Sequence, residues 1–314
     1  MNKNILKILG TCLIVAIIAY VVDFEKLLAS FSNWHFEYLH YLIPLTILNI
    51  FFEGYRWYVL FDPLNRKNLL FLICLPWESA FAGMFLPGTL GSDLYRVALI
   101  RQNHSSLFDA ISNVLIIRIL GVVALVPFSV VALIFKPSLS ENPVIEIPML
   151  AFLLGSVVFI LVMFLNVGTS MLLKVAHFCP SSISKMIQAM LFYQKRKKEL
   201  FFSLVVAVLC QITTVFLAFF CAKSAIQDLS LIDFFAIFPI ASILCLLPVG
   251  INSFGTQEAA YMFLFSQVGI LKEQALLASI IWNGFKTILM LSGGVVLAIR
   301  MLTKWPSNSN RGKV

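Results

Sequence analysis

An all-α, polytopic membrane protein is the fold class this sequence predicts, with about eight helical crossings, one re-entrant segment and the trace of an inverted repeat. Three observations predict it. Of 314 residues, 60% are hydrophobic and only 12% are Asp, Glu, Lys or Arg, roughly half the usual charged share. Several apolar runs reach the roughly 20 residues a helix needs to cross a bilayer. They are continuous rather than alternating, which argues against a β-barrel. The basic residues fall in alternate connecting segments, as cytoplasmic loops require. With a mean hydropathy of +0.94, the chain has more apolar surface than a soluble core can hide.

The elements follow in order. Met1 to Lys7 is short and basic, and the first span is expected over 5–22. Retention of that span is expected, because further spans follow it and no convincing small-x-small cleavage site does. The next loop holds Asp23, Glu25 and Glu37 against Lys26. A second span, 38–61, contains Pro44, Glu53 and Arg56, and a basic turn follows at 62–67. The third apolar segment, 68–87, is interrupted by Pro76, Glu78 and Gly83. After a polar link at 101–106, a fourth span over 110–135 has Arg118 and Gly121 inside it. A loop over 136–148, with Glu141, Glu146 and prolines 137, 143 and 148, leads to a span over 149–169.

The stretch 170–199 differs from the rest. Ile183, Met186, Ile187, Met190 and Leu191 recur at helical spacing beside Lys185, Lys195, Arg196, Lys197 and Lys198. It reads as a basic amphipathic cytoplasmic link on an anionic leaflet; the plainer reading is a solvated connector. Spans are then expected over 200–222, 229–247, a short 256–270 and 274–299, with a polar, basic tail at 300–314. The whole chain, 1–314, reads as one integral membrane domain.

If every apolar segment crossed, the acidic 136–148 loop and the basic 170–199 link would fall on the wrong sides. A re-entrant 68–87 segment, entering and leaving on the cytoplasmic side, removes the conflict. Lys3, Lys7, Arg66, Lys67, Arg96, Arg101, the bases of 174–198 and the tail are then cytoplasmic, as are both termini. Lys26, Lys136, Lys223 and Lys272 are external, in keeping with the positive-inside rule. The expected location is a bacterial or archaeal plasma membrane.

Charges inside such segments are costly and mark function. Asp93 and Arg96 stand i, i+3, behind Gly88 and Gly91, whose turn can expose N–H groups to an anion. One reading is a gated ion pair, with Arg96 engaging a phosphate as substrate displaces Asp93. The other is a structural pair that stitches the broken segment to its neighbours. Glu53 and Arg56 repeat the spacing, with Arg56 expected to snorkel to the interface. Glu78 lies beside Trp77 in the interrupted segment. Arg118 sits too deep in its span to reach water easily, so it needs a carboxylate, a headgroup or a wet cavity. Glu258 follows Pro248, Gly250, Asn252 and Gly255; it either caps a helix or takes a proton or cation, with Lys286 as expected partner. Asp233 is expected at the interface.

Other chemistries find little support. The six cysteines form no C-x-x-C pair and the four histidines are scattered, so no metal site is expected. No H-E-x-x-H, P-loop or dinucleotide fingerprint is present, and no cofactor is expected. The +8 charge reads as topology; no soluble basic domain invites nucleic acid.

Together, L-P-G-x-x-G-x-D-x-x-R at 86–96, R-x-x-G at 118–121 and L-P-x-x-x-N-x-x-G-x-x-E at 247–258 resemble the lysylphosphatidylglycerol synthase transmembrane region family. This is the flippase-like module at the front of bacterial multiple-peptide-resistance proteins. The resemblance covers nearly the whole chain. It implies functional roles for Pro87, Gly88, Gly91, Asp93, Arg96, Arg118, Gly121, Pro248, Gly255 and Glu258. Relatives often carry Arg where this chain has Gln257 and Asn283, and Gly where it has Ser253. These departures remove positive charge from the presumed cavity, and Lys286 replaces part of it. The implied function is a lipid transporter, flippase-like, moving a phosphate-bearing or aminoacylated lipid between leaflets. Aminoacylated phosphatidylglycerol, a glycolipid and a polyprenyl-phosphate-linked sugar are the substrates it admits. Implied partners are membrane lipids, anionic or polyprenyl-phosphate-linked, a second copy as homodimer, and a lipid-synthesising enzyme. Fused relatives add a soluble aminoacyl-transferase domain, so lysyl-phosphatidylglycerol synthesis by that route is not expected here. The alternatives are a membrane-embedded transferase acting on a lipid-linked substrate and a non-catalytic scaffold for envelope-lipid synthesis.

Overall fold

A computed structural model describes residues 36–61, 69–84, 91–101, 107–166, 168–178, 184, 187–188, 190–191, 193–246 and 255–302. The expected 5–22 span, Gly88, Pro87, Pro248 and Ser253 lie outside the described residues. In lipid a backbone must satisfy its own N–H and C=O groups, so apolar runs become helices. They are α1 (Leu42–Leu60), α2 (Leu69–Met84), α3 (Gly91–Arg101), α4 (Leu107–Val123), α5 (Val126–Phe135), α6 (Pro143–Leu165), α7 (Thr169–Phe178), α8 (Lys197–Lys223), α9 (Leu231–Leu244), α10 (Thr256–Ser266) and α11 (Lys272–Leu302). Among the described residues, four stretches are long and apolar enough to cross a membrane: Leu107–Phe135, Pro143–Leu165, Tyr193–Lys223 and Lys272–Leu302. Large apolar side chains stay exposed on their outer faces, Leu154, Val158, Ile288 and Val295 among them, as lipid contact demands.

Several boundaries differ from the sequence reading, each for a local reason. Of the prolines assigned to a loop before residue 149, Pro137 opens a 3-10 turn ahead of α6, while Pro143 instead starts α6 and Pro148 lies inside it. Asn142 caps it by accepting a hydrogen bond from the Val144 N–H at 3.0 Å, and Pro143 occupies the first turn, where a missing N–H costs nothing. Helix α9 has only 14 residues, shorter than the 229–247 span expected, and starts where Ser230 Oγ accepts from the Ile232 N–H at 3.2 Å. Helix α2 continues through Pro76 without a break. The last helix runs on through Arg300 to Leu302.

Helices α2 and α3 form an antiparallel hairpin. A methyl group at Gly83 would lie 2.7 Å from the Ser92 backbone nitrogen, and farther along Arg96 Nε donates to Ser79 Oγ at 2.8 Å. Helices α1 and α8 also run antiparallel. The Tyr41 and Phe220 rings stack at one end, 4.8 Å apart, and Arg196 donates to the Leu60 and Phe61 carbonyls at the other, at 3.1 and 3.2 Å.

Two apolar cores result. One gathers Phe128, Phe152, Phe234, Tyr261, Phe265 and Trp282. The other gathers Trp57, Leu60, Leu72, Ile100, Ile117 and Leu200. Along α1 the first core takes Leu42 and the second takes Trp57 and Leu60; along α8 they take Val215–Ala222 and Leu200–Ala207 respectively. Between them each helix turns polar, at Asn49 and Glu53 on α1 and at 210–214 on α8. The candidate site occupies this layer.

Candidate functional site

Helix α1 presents Asn49, Glu53 and Arg56 at helical spacing, so all three share one face. The Asn49 amide donates to the Cys210 carbonyl at 3.2 Å and to the Thr213 and Thr214 hydroxyls at 2.9 and 2.8 Å, locking α1 to α8. Glu53 takes both carboxylate bonds from Arg56 Nη2, at 2.9 and 2.7 Å, and a weaker one from Cys210 Sγ at 3.4 Å. Arg56 does not snorkel: it is 6% exposed. Its guanidinium fills the space a side chain at Gly121 would need, since a methyl group there would stand 3.0 Å from Nη1. Gln211 donates to the Gly121 carbonyl at 2.9 Å. The glycine of the R-x-x-G motif thus admits a buried cation.

Asp93, in the first turn of α3, pairs more closely with Arg118 of α4 than with its i+3 neighbour. Arg118 Nε lies 2.5 Å from Oδ2, whereas Arg96 Nη1 lies 3.5 Å from Oδ1. Arg96 spends its Nε on Ser79 and lies over the Trp57 ring, 5.7 Å from its centroid. Asp93 therefore binds the α2–α3 hairpin to α4, and Arg96 binds the hairpin's two arms to each other. Gly91 is buried at the start of α3.

The second half supplies a matching polar group. Gly255, at φ 83°, takes a left-handed turn that favours glycine. Its N–H donates to Glu258 Oε2 at 2.6 Å, and Glu258 Oε1 accepts from Asn283 Nδ2 at 2.5 Å. Glu258 is thus the cap the sequence allowed, tied to α11. Lys286 does not pair with it: Nζ donates to Gln257 Oε1 at 2.5 Å and lies 5.5 Å from the Trp282 ring centroid. Glu258 prefers the amide because a capping carboxylate must point back along α10 toward Gly255, where Asn283 stands.

A cavity of about 210 Å³ opens between α1, α2, α3 and α11. Asn49, Glu53, Trp77, Arg96, Lys286 and Met290 line it. Glu53, Arg96 and Lys286 are therefore brought to one space, with Asp93 and Arg118 behind Arg96 and Glu258 behind Lys286. Glu78 is elsewhere: it faces Arg300 at 3.0 Å, and Arg300 also donates to the Tyr95 hydroxyl at 3.0 Å. Asp233, in the first turn of α9, is buried against its neighbours and paired with Lys136 at 2.6 Å. No group of three or more metal-ligating side chains occurs among the described residues.

Ser79, Asn49, Thr213, Thr214 and Arg300 belong to these networks without having been singled out in the sequence. For Asn49 a signal existed, its i, i+4, i+7 spacing with Glu53 and Arg56. The hydroxyls of Ser79 and the two threonines give none, since such residues are common in membrane helices.

A bundle of apolar helices, several of them long enough to cross a membrane, defines a polytopic, all-α integral membrane protein. The chain is more particularly a member of one family: the model described as lysylphosphatidylglycerol synthase TM region matches residues 4–294, and the chain belongs to that family. No curated protein and no solved structure matches it.

Proposed function

We propose that this protein moves a lipid with a phosphate-bearing headgroup between membrane leaflets. The observation that carries the reading is the charged network on α1, α3 and α4, retained beside a cavity in an otherwise apolar bundle. Burying paired charges is seldom the most stable way to fill a core, and in membranes such groups serve substrate or ion pathways. The headgroup enters the cavity, takes Arg96 or Arg118 as its partner and frees Asp93, while the acyl chains remain in lipid. Family membership supports the lipid as substrate.

An inverted repeat supplies the movement. The order long, short, short, long recurs in α1, α2, α3, α4–α5 and in α8, α9, α10, α11. Asn49 and its partner Thr213 are 164 residues apart. That shift carries the starts of α2, α3 and α4 close to the starts of α9, α10 and α11. The contact between α1 and α8 is antiparallel, as a two-fold axis in the membrane plane requires. The α2–α3 hairpin is re-entrant from the cytoplasmic side, and both termini are cytoplasmic. Rocking of one repeat against the other exposes the cavity to each leaflet in turn.

The test is a headgroup-resolved translocation assay on purified protein in liposomes. Wild type moves one lipid class, and Asp93→Asn and Arg118→Ala abolish movement while remaining folded and inserted. Undiminished movement in both variants overturns the reading.

A further inference from the structure

We infer that the cavity selects a small anionic headgroup, a phosphate monoester or a phosphodiester carrying no more than glycerol, and rejects the cationic aminoacylated headgroup of the family's name. This rests on the translocator reading and specifies its substrate.

Charge comes first. Among the described residues, the ionisable groups lining the cavity are Glu53, Arg96 and Lys286. Arg56 already neutralises Glu53 through a double contact. Asp93 is Arg96's carboxylate partner at 3.5 Å, but its closer partner is Arg118 at 2.5 Å. Lys286 has a neutral acceptor, Gln257, and an aromatic face, and it forms no ion pair among the described residues. The cavity therefore presents Lys286, which has no carboxylate partner among the described residues, beside Arg96, which shares Asp93 with the closer Arg118, and an arriving phosphate meets both. An aminoacyl ammonium meets a repulsive wall, because the carboxylates in reach are already paired or capped.

Size comes second. About 210 Å³ falls below the roughly 300–1,000 Å³ of pockets that enclose drug-sized ligands. A phosphate with at most a glycerol suits that space better than a lysyl ester or an oligosaccharide.

The experiment uses full-length protein in liposomes with tail-labelled phosphatidic acid, phosphatidylglycerol, phosphatidylcholine and lysyl-phosphatidylglycerol. Phosphatidic acid and phosphatidylglycerol should move at least about tenfold faster than the other two, a difference of about 1.4 kcal/mol. Lys286→Gln should cut anionic transport and narrow that ratio, with thermal stability kept. Equal or faster movement of lysyl-phosphatidylglycerol overturns the inference and leaves translocation standing. Binding is read separately from tryptophan emission on adding dihexanoyl phosphatidic acid, since Trp57, Trp77 and Trp282 adjoin the cavity or its cations. Transport absent with selective binding present overturns the translocator reading alone. Absent binding, or binding of dihexanoyl lysyl-phosphatidylglycerol as tight, overturns the selectivity.

Discussion

Arg118→Ala removes the closest partner of a carboxylate whose side chain is 10% exposed. Two opposite charges 4 Å apart interact by about 4 kcal/mol at an effective dielectric of 20, and breaking one side of a buried pair costs about 3–5 kcal/mol. The Arg118 side chain is 27% exposed, so water screens part of this, and Arg96 stays 3.5 Å from Asp93. The expected cost of Arg118→Ala is therefore about 2–3 kcal/mol. Asp93→Asn is worse, at about 3–5 kcal/mol, because it leaves two guanidiniums facing an amide. Joining the two changes removes one of those cations, so the double variant should be at least about 1 kcal/mol more stable than the sum of the singles. Thermal unfolding in detergent reads this, at about 2–4 °C per kcal/mol for a chain of somewhat smaller size. Additivity to within about 0.5 kcal/mol would refute the claim that Asp93 binds Arg118 rather than serving Arg96 alone.

Further substitutions probe the scaffold. Gly83→Ala places a methyl 2.7 Å from the Ser92 nitrogen, and prying the hairpin open should cost about 1–3 kcal/mol, read as a lower melting temperature and reduced transport. Arg300→Ala strands Glu78, which is 1% exposed; a loss of about 3 kcal/mol is expected, and Glu78→Gln in the same chain should recover most of it. Arg196→Ala uncovers the carbonyls of Leu60 and Phe61 and should cost about 1–3 kcal/mol in thermal stability, with the transport rate of the surviving folded protein unchanged.

What the sequence discloses and what it hides divide along a physical line. Features set by a single helix are legible. The apolar runs announce their helices, the Glu53–Arg56 pair follows from i, i+3 spacing, and the Glu258 cap follows from a glycine three residues before it. Features set by packing between helices are not. Asp93 has a base three residues on, yet its closer partner lies on α4, because the hairpin turns the first-turn carboxylate outward. Arg56 stands five residues from the end of its apolar run and is still buried, because Gly121 makes room for it. Lys286 shares a face with Asn283, but the cap geometry of Glu258 selects the amide and leaves the amine to Gln257. Arg300 reads as tail because it is basic and near the end; its partner Glu78 lies 222 residues upstream, beyond any local pattern.

The measurement that bears most directly on the central claim is the translocation rate of phosphatidylglycerol in liposomes containing the Arg96→Ala, Arg118→Ala double variant. The variant should be monodisperse, inserted and folded by circular dichroism. Its rate should fall to that of protein-free liposomes, because both guanidiniums that can receive the phosphate are gone. A rate equal to wild type would contradict the account, since a lipid that crosses without either cation does not use this site.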